Sequence, residues 1–178
     1  MNHQDHVRLL VKGILAQGGV WADFGSGTGA FTLGLADLIG SEGQIYSIDK
    51  NVRSLREQER AMNARFADRE PGKTFYQQAD FTLPLELPPL DGAVMANALH
   101  FEKEKEQIVR RLHSYLKPGG RFILIEYNVD RGNAWVPYPL SYSTWETLAG
   151  RSGFNHTRLL ETVPSRFLGQ IYSALSFA

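Results

Sequence analysis

A chain of 178 residues with 43% hydrophobic and 21% charged side chains carries enough apolar material for one globular domain with a sizeable core. Nineteen Lys and Arg balance nineteen Asp and Glu, so no domain-wide positive field exists to draw in nucleic acid. The absence of cysteine removes disulfides, thiolate metal sites and cysteine nucleophiles, and fits a cytoplasmic protein.

The chain opens on polar residues 1–6, which read as a mobile tail containing His3 and His6. Val7, Leu10, Val11, Ile14 and Leu15 follow, interrupted by Arg8, Lys12 and Gly13. That is neither a signal peptide nor a membrane span, and the spacing predicts a short amphipathic helix packed on the domain. Residues 1–18 are expected to cover a core made by residues 19–178.

From there strand and helix alternate, which predicts a mostly parallel sheet with helices on both faces. Residues 20–24 form the first strand and 30–39 its helix, with a tight turn through Gly25, Gly27 and Gly29 between them. Residues 44–49 give the second strand and 51–67 a charged helix broken at Pro71-Gly72. Residues 74–78 make a short third strand, and the proline-rich stretch 84–89 is a loop. Residues 91–97 form the fourth strand, with Asp91 at its start in a structural role. A helix over 103–116 presents Ile108, Leu112 and Tyr115 on one face, and the charge run from Glu102 to Glu106 is its solvated side. Lys117-Pro118-Gly119-Gly120 ends that helix as a cap and turn before the buried fifth strand, 121–127. A loop over 128–140 leads to a helix at 144–151. Two further strands, 156–162 and 170–177, are joined by residues 163–169.

Ligands of such sheets sit at the carboxyl ends of the strands, near the point where strand order reverses. Asp23, Gly25, Asp49, Asp80 and Asn97 all fall at such ends. Glycines let a ligand approach bare backbone, and the following helix start offers free N–H groups and a positive dipole end. The run from Gly25 to Ala30 with Asp49 downstream also satisfies a nicotinamide dinucleotide fingerprint, so that reading competes. Asp23 argues against it, because an acid beside a pyrophosphate is unfavourable whereas a cationic amino group is welcome there. Asp80 and Phe81 offer a carboxylate and a ring face suited to adenine. The ligand these residues ask for has an amino group, a carboxylate, a ribose and an adenine.

In motif order, residues 20–178 resemble a class I S-adenosylmethionine-dependent methyltransferase of the small-molecule type. The carriers are Asp23-Phe24-Gly25-Ser26-Gly27-Thr28-Gly29, Ser47-Ile48-Asp49, Asp80-Phe81, Asp91-Gly92 with Asn97-Ala98-Leu99-His100, and Leu116-Lys117-Pro118-Gly119-Gly120. The resemblance implies a Rossmann-like, doubly wound α/β fold in three layers, with seven strands of which the last is antiparallel and inserted. It places Gly25, Ser26, Gly27 and Gly29 against the cofactor's methionine moiety, with Asp23 near the amino group. It gives Asp49 the ribose hydroxyls, Lys50 a flank of the adenine, Asp80 the adenine amino group, Phe81 apolar contact and Asn97 the methionine part.

Methyl transfer is an in-line displacement from a sulfonium, and a base is needed only when the acceptor arrives protonated. His100, just after the fourth strand, is the candidate base; Glu126 and Tyr127 share its rim. The resemblance places the acceptor site between the N-terminal helix and the loop after the fifth strand, where Asn128, Trp135 and Tyr138 are candidates, while Tyr142 and Trp145 read equally as core or as substrate contacts. No metal is expected, since Asn97 stands where a metal-dependent subgroup wants an acid. The sequence predicts a small-molecule acceptor rather than nucleic acid or protein, and a monomer or homodimer. A nicotinamide-dependent oxidoreductase and a non-catalytic cofactor-binding protein remain the alternatives.

Overall fold

In the computed structural model, which describes residues 1–68 and 72–178, helix α1 (His3–Val11) precedes strand β1 (Gly19–Phe24), helix α2 (Ala30–Ile39) and strand β2 (Gly43–Asp49). Helix α3 (Val52–Arg65) and strands β3 (Lys73–Gln78) and β4 (Leu90–Ala96) follow. The chain continues through helix α4 (Lys105–Ser114), strand β5 (Leu116–Tyr127), helix α5 (Tyr142–Arg151) and strands β6 (Asn155–Ser165) and β7 (Gly169–Phe177). All seven strands share one sheet in the order β3-β2-β1-β4-β5-β7-β6, with β7 antiparallel between β5 and β6 and the other neighbours parallel. Strand order therefore reverses between β1 and β4, as the expected doubly wound, Rossmann-like α/β arrangement requires.

The central strands are buried on both faces, and their side chains alternate between two cores. Along β5, Phe122 and Leu124 join Trp145, Ala149 and Phe154 on the face covered by α4 and α5. Ile123 and Ile125 join Leu9, Leu10, Phe31, Leu35 and Met62 on the face covered by α1, α2 and α3. Trp145 is fully buried against Phe122 and Phe154, with ring centroids 5.6 and 6.2 Å away, so it is core and not an acceptor contact. Asp91 is structural as expected: one carboxylate oxygen accepts from the Val20 N–H at 2.8 Å and the other from Lys117 Nζ at 2.6 Å.

Several sequence expectations are corrected. Residues 1–6 are not a mobile tail, because Asn2 and Asp5 form a reciprocal capping box (3.0 and 2.9 Å) that starts α1. His3 is also paired with Asp37 at 2.7 Å, and the His6 ring lies 4.8 Å from that of Phe31. Lys117-Pro118-Gly119-Gly120 is not a helix cap but an irregular opening of β5; α4 ends at Tyr115, and Leu116 pairs with Leu90 across a register shift. The charge run is not one helical face, since α4 begins at Lys105 and Glu102 lies before it. The connection expected over 163–169 shrinks to residues 166–168, because Val163, Pro164 and Ser165 pair with Ile171, Gln170 and Gly169. Pro164 is tolerated there because β6 is the outermost strand, where a missing N–H leaves no neighbour unpaired. Of the expected break at Pro71-Gly72, Pro71 lies outside the described residues.

Gly92 marks the tightest crossing of β1 and β4. A Cβ placed there would sit 2.3 Å from Cζ3 of buried Trp21. Gly92→Ala is expected to destabilise the fold by about 1–3 kcal/mol through overpacking. Urea unfolding measures this, and an unchanged midpoint would contradict the crowding.

Candidate active site

The turn from β1 into α2 is built by close approaches on both sides. The N–H groups of Gly25 and Ser26 both donate to Ile48 O, at 2.8 and 3.1 Å, which locks the turn to β2. Gly25 and Gly29 have φ of 72° and 86°, the left-handed region that favours glycine. A Cβ on Gly25 would come within 2.6 Å of the Ala98 Cβ, and one on Gly29 within 2.2 Å of Gln58 Cγ. Beneath the turn Ser47 Oγ donates to Gln58 Oε1 at 2.9 Å, and the Ser26 and Ser47 hydroxyls lie 2.8 Å apart. Gln58 is a site residue that sequence reasoning missed; a buried glutamine on a strongly charged helix was its faint signal.

Asp49 closes the end of β2. Its Oδ2 accepts from Gly27 N–H and its Oδ1 from Asn51 N–H, each at 2.8 Å, while Asn51 caps α3. At the end of β3, Asp80 Oδ1 accepts from the hydroxyl and N–H of Thr82 at 2.7 and 2.9 Å. These bonds hold the Asp80 carboxyl below its ordinary range. After β4, Asn97 adopts a left-handed φ of 50° and its N–H donates to Ile125 O at 2.9 Å. Its Oδ1 is buried with no partner, a cost that a donor on a ligand would relieve.

These ends enclose a cavity of about 420 Å³. Gly25, Ser26, Gly27, Asp49, Lys50, Asp80, Phe81 and Asn97, all expected from sequence, line it. So do Met1 and His6 from the α1 end, Phe31 from α2, and Phe101 and Glu102 from the segment after β4, none of which was singled out. The amphipathic pattern of α1 was the available signal for the first pair.

Other expected site residues lie off the cavity wall. Gly29 sits behind the turn against Gln58. Asp23 is buried below the turn, where Thr32 Oγ1 donates to its Oδ2 at 2.5 Å. Burial pushes its carboxyl up to about 7, with the nearby Asp49 charge adding to the rise. His100 lies in a short 3₁₀ turn, Leu99–Phe101, and is buried behind the wall rather than in it. Its Nδ1 is 2.8 Å from Glu126 Oε2, its N–H donates to Glu126 Oε1 at 3.1 Å, and its carbonyl accepts from Tyr138 N–H. Asn128 bridges Gln170 and the Tyr142 N–H, at 2.8 and 3.0 Å, and does not reach the cavity. Trp135 and Tyr138 are exposed on the loop outside it.

Two acids at neighbouring strand ends, an apolar ring face, bare glycine backbone and an orphaned amide oxygen suit a ligand with hydroxyls, a purine and an amino-acid end. The methyltransferase domain family matches residues 16–159. The chain belongs to this family. Among curated relatives, the ubiquinone/menaquinone biosynthesis C-methyltransferase of Teredinibacter turnerae is 31% identical over 108 residues, covering 60% of this chain and 42% of that protein. The arsenite methyltransferase of Aquipseudomonas alcaligenes is 27% identical over 176 residues, covering 87% of this chain and 49% of its own. In both cases the methyltransferase domain described here spans less than half of the relative's length. Among solved structures, the YcgJ protein of Bacillus subtilis matches with a TM-score of 0.78 at 12% identity over 98% of both chains. A SAM-dependent methyltransferase of Aquifex aeolicus matches with a TM-score of 0.72 at 19% identity, over 97% of this chain and 89% of that one. These structures show the fold of the class I methyltransferases, whose cofactor is S-adenosylmethionine. The nicotinamide reading is thereby set aside. Among the described residues no helix is long and apolar enough to cross a membrane.

Asp23 generates a pH prediction. Its folded pKa of about 7 lies above the ordinary 3.8, so between those values the native state keeps a proton that the unfolded chain has released. Stability then falls as pH rises through that window. Relative to Asp23→Asn, the wild type is expected to lose urea resistance from pH 4 to pH 7; parallel curves would show that Asp23 does not titrate this way.

Proposed function

We propose that this chain transfers a methyl group from S-adenosylmethionine to a small-molecule acceptor that must give up a proton, with His100 as the base. The buried pair of His100 and Glu126 is the observation that carries this reading. When bound, S-adenosylmethionine supplies an electrophilic methyl group on a sulfonium. Asp49, held by Gly27 and Asn51, keeps lone pairs for the two ribose hydroxyls. Asp80, Phe81 and Lys50 take the adenine, while the turn through Gly25, Ser26, Gly27 and Gly29 carries the methionine end. Asn97 Oδ1 offers an acceptor there, and Asp23 lies buried below the turn.

The two oxygens of Glu126 engage the backbone N–H and the Nδ1 side of the same residue, so the His100 ring is fixed in both position and tautomer. A proton on Nδ1 leaves Nε2 as the basic nitrogen, the arrangement of a base oriented by a third group. Glu126 is fully buried and cannot turn away to water. Glu126 is a positioning residue: it acts through His100.

Acceptors that give up a proton on methylation include phenols and activated carbons. The relatives named as C-methyltransferases support the carbon case. The arsenite methyltransferase likeness is not carried over, because this chain holds no cysteine with which to grip a thiophilic arsenic centre. The balanced net charge supports a small molecule over nucleic acid.

Three outcomes are expected. His100→Gln lowers transfer of labelled methyl into a panel of phenols and β-dicarbonyl compounds by about 10²–10⁴-fold. Calorimetric affinity for S-adenosylhomocysteine stays at the wild-type value; undiminished transfer would remove the base. Glu126→Gln lowers transfer less and displaces its pH profile, which a merely structural loss would not do. Asp49→Ala weakens S-adenosylhomocysteine binding by about 10–100-fold, as expected for lost charge-assisted hydrogen bonds.

A further inference from the structure

His100 is the middle of a run of aromatic rings that leaves the cofactor cavity. Phe101 lines that cavity, and its ring centroid is 4.3 Å from that of His100. On the other side Tyr127, at the end of β5, lies 6.0 Å from His100. Phe167, in the turn between β6 and β7, lies 5.9 Å beyond Tyr127. The topology explains the alignment. Because β7 runs antiparallel to β5, with Ile171 opposite Tyr127, the turn at 166–168 stands over the same strand ends as the cofactor cavity. Phe101 and Phe167 are 57% and 48% exposed, large values for phenylalanine on a surface otherwise rich in charge.

The cavity's 420 Å³ is toward the low end of ligand pockets, about 300–1,000 Å³, and its wall contains no residue beyond Glu102. The rim beside Phe101, where the aromatic run begins, is one open approach to this cavity.

We infer that Phe101, Tyr127 and Phe167 form an open shelf that binds the methyl acceptor, and that the acceptor is a flat, apolar molecule lying beside the cavity rim at Phe101 with its far end toward Phe167. Stacked or edge-on ring contacts favour planar unsaturated bodies over compact polar ones. The open outer end sets no limit on substituents carried there. This inference rests on the reading of His100 as the base, since that residue fixes where the reacting atom must lie.

The test uses the full chain saturated with S-adenosylhomocysteine and 1-naphthol as probe, with binding followed by calorimetry. Wild type is expected to bind the naphthol without displacing S-adenosylhomocysteine. Phe167→Ser, at an exposed turn, is expected to weaken naphthol about tenfold while cofactor-product affinity holds, the loss of one ring contact. Phe75→Ser, an exposed aromatic on β3 at the far edge of the sheet, is expected to change nothing. The shelf is overturned if wild type does not bind naphthol, if naphthol and S-adenosylhomocysteine compete, or if Phe167→Ser and Phe75→Ser behave alike. His100→Gln separates the two readings. Its methyl transfer tests the base, whereas the naphthol affinity of Phe167→Ser, read without any turnover, tests the shelf.

Discussion

The carboxylate of Asp49 ties three elements into one site. One oxygen holds the glycine turn that follows β1, the other holds the segment that starts α3, and the acid itself ends β2. Remove it and the turn loses its outer tether, leaving Ile48 O and the Ser26–Ser47 hydroxyl contact as its grip on β2. The same oxygens then face a ligand with lone pairs to spare. Structure and binding draw on one group, which is why a small chain can define a cofactor site with so few polar residues.

Crowding completes what hydrogen bonding begins. Gly25 against Ala98 and Gly29 against Gln58 leave no room for a side chain, so the backbone of the turn after β1 packs directly on the side chains of Ala98, after β4, and Gln58, on α3. Interiors packed this closely transmit displacement instead of absorbing it. The site is consequently preorganised by its own scaffold, with Glu126 doing for His100 what Asp49 does for the turn. Both are acids whose two oxygens are occupied by groups close in the chain or across one strand pair.

The fold was legible because its signals are local and repeated. The apolar run into Asp23, the alternating glycines and the strand-end acids Asp49 and Asp80 each mark a strand terminus, and Rossmann-like topology follows from their order. The cavity wall was legible wherever a strand end contributed it. What sequence could not show was set by tertiary packing. The capping box of Asn2 and Asp5 looks like polar tail until α2 supplies Asp37 for His3. Lys117 to Gly120 look like a helix stop until Leu90 draws Leu116 into the sheet. Asn128, Trp135 and Tyr138 sit on the right rim but outside the cavity, because Asn128 is spent on tying Gln170 to the start of α5. Glu102 was read as the start of a solvated helix face and instead turns into the wall, together with Phe101, which carried no signal of its own.

The insertion of β7 between β5 and β6 also shapes how the molecule is made. β6 is synthesised first yet has no partner in the sheet until β7 exists, since its ladder is with β7 alone. Until β7 has been synthesised, the outer edge of β5 stays unpaired. Ile123 and Ile125 on one face and Phe122 and Leu124 on the other await part of their cover. Unpaired strand edges and bare apolar surface are the features by which nascent chains associate wrongly. For this chain the interval of exposure lasts until the β6–β7 hairpin pairs, and the edge at risk is the one that later stands beside His100.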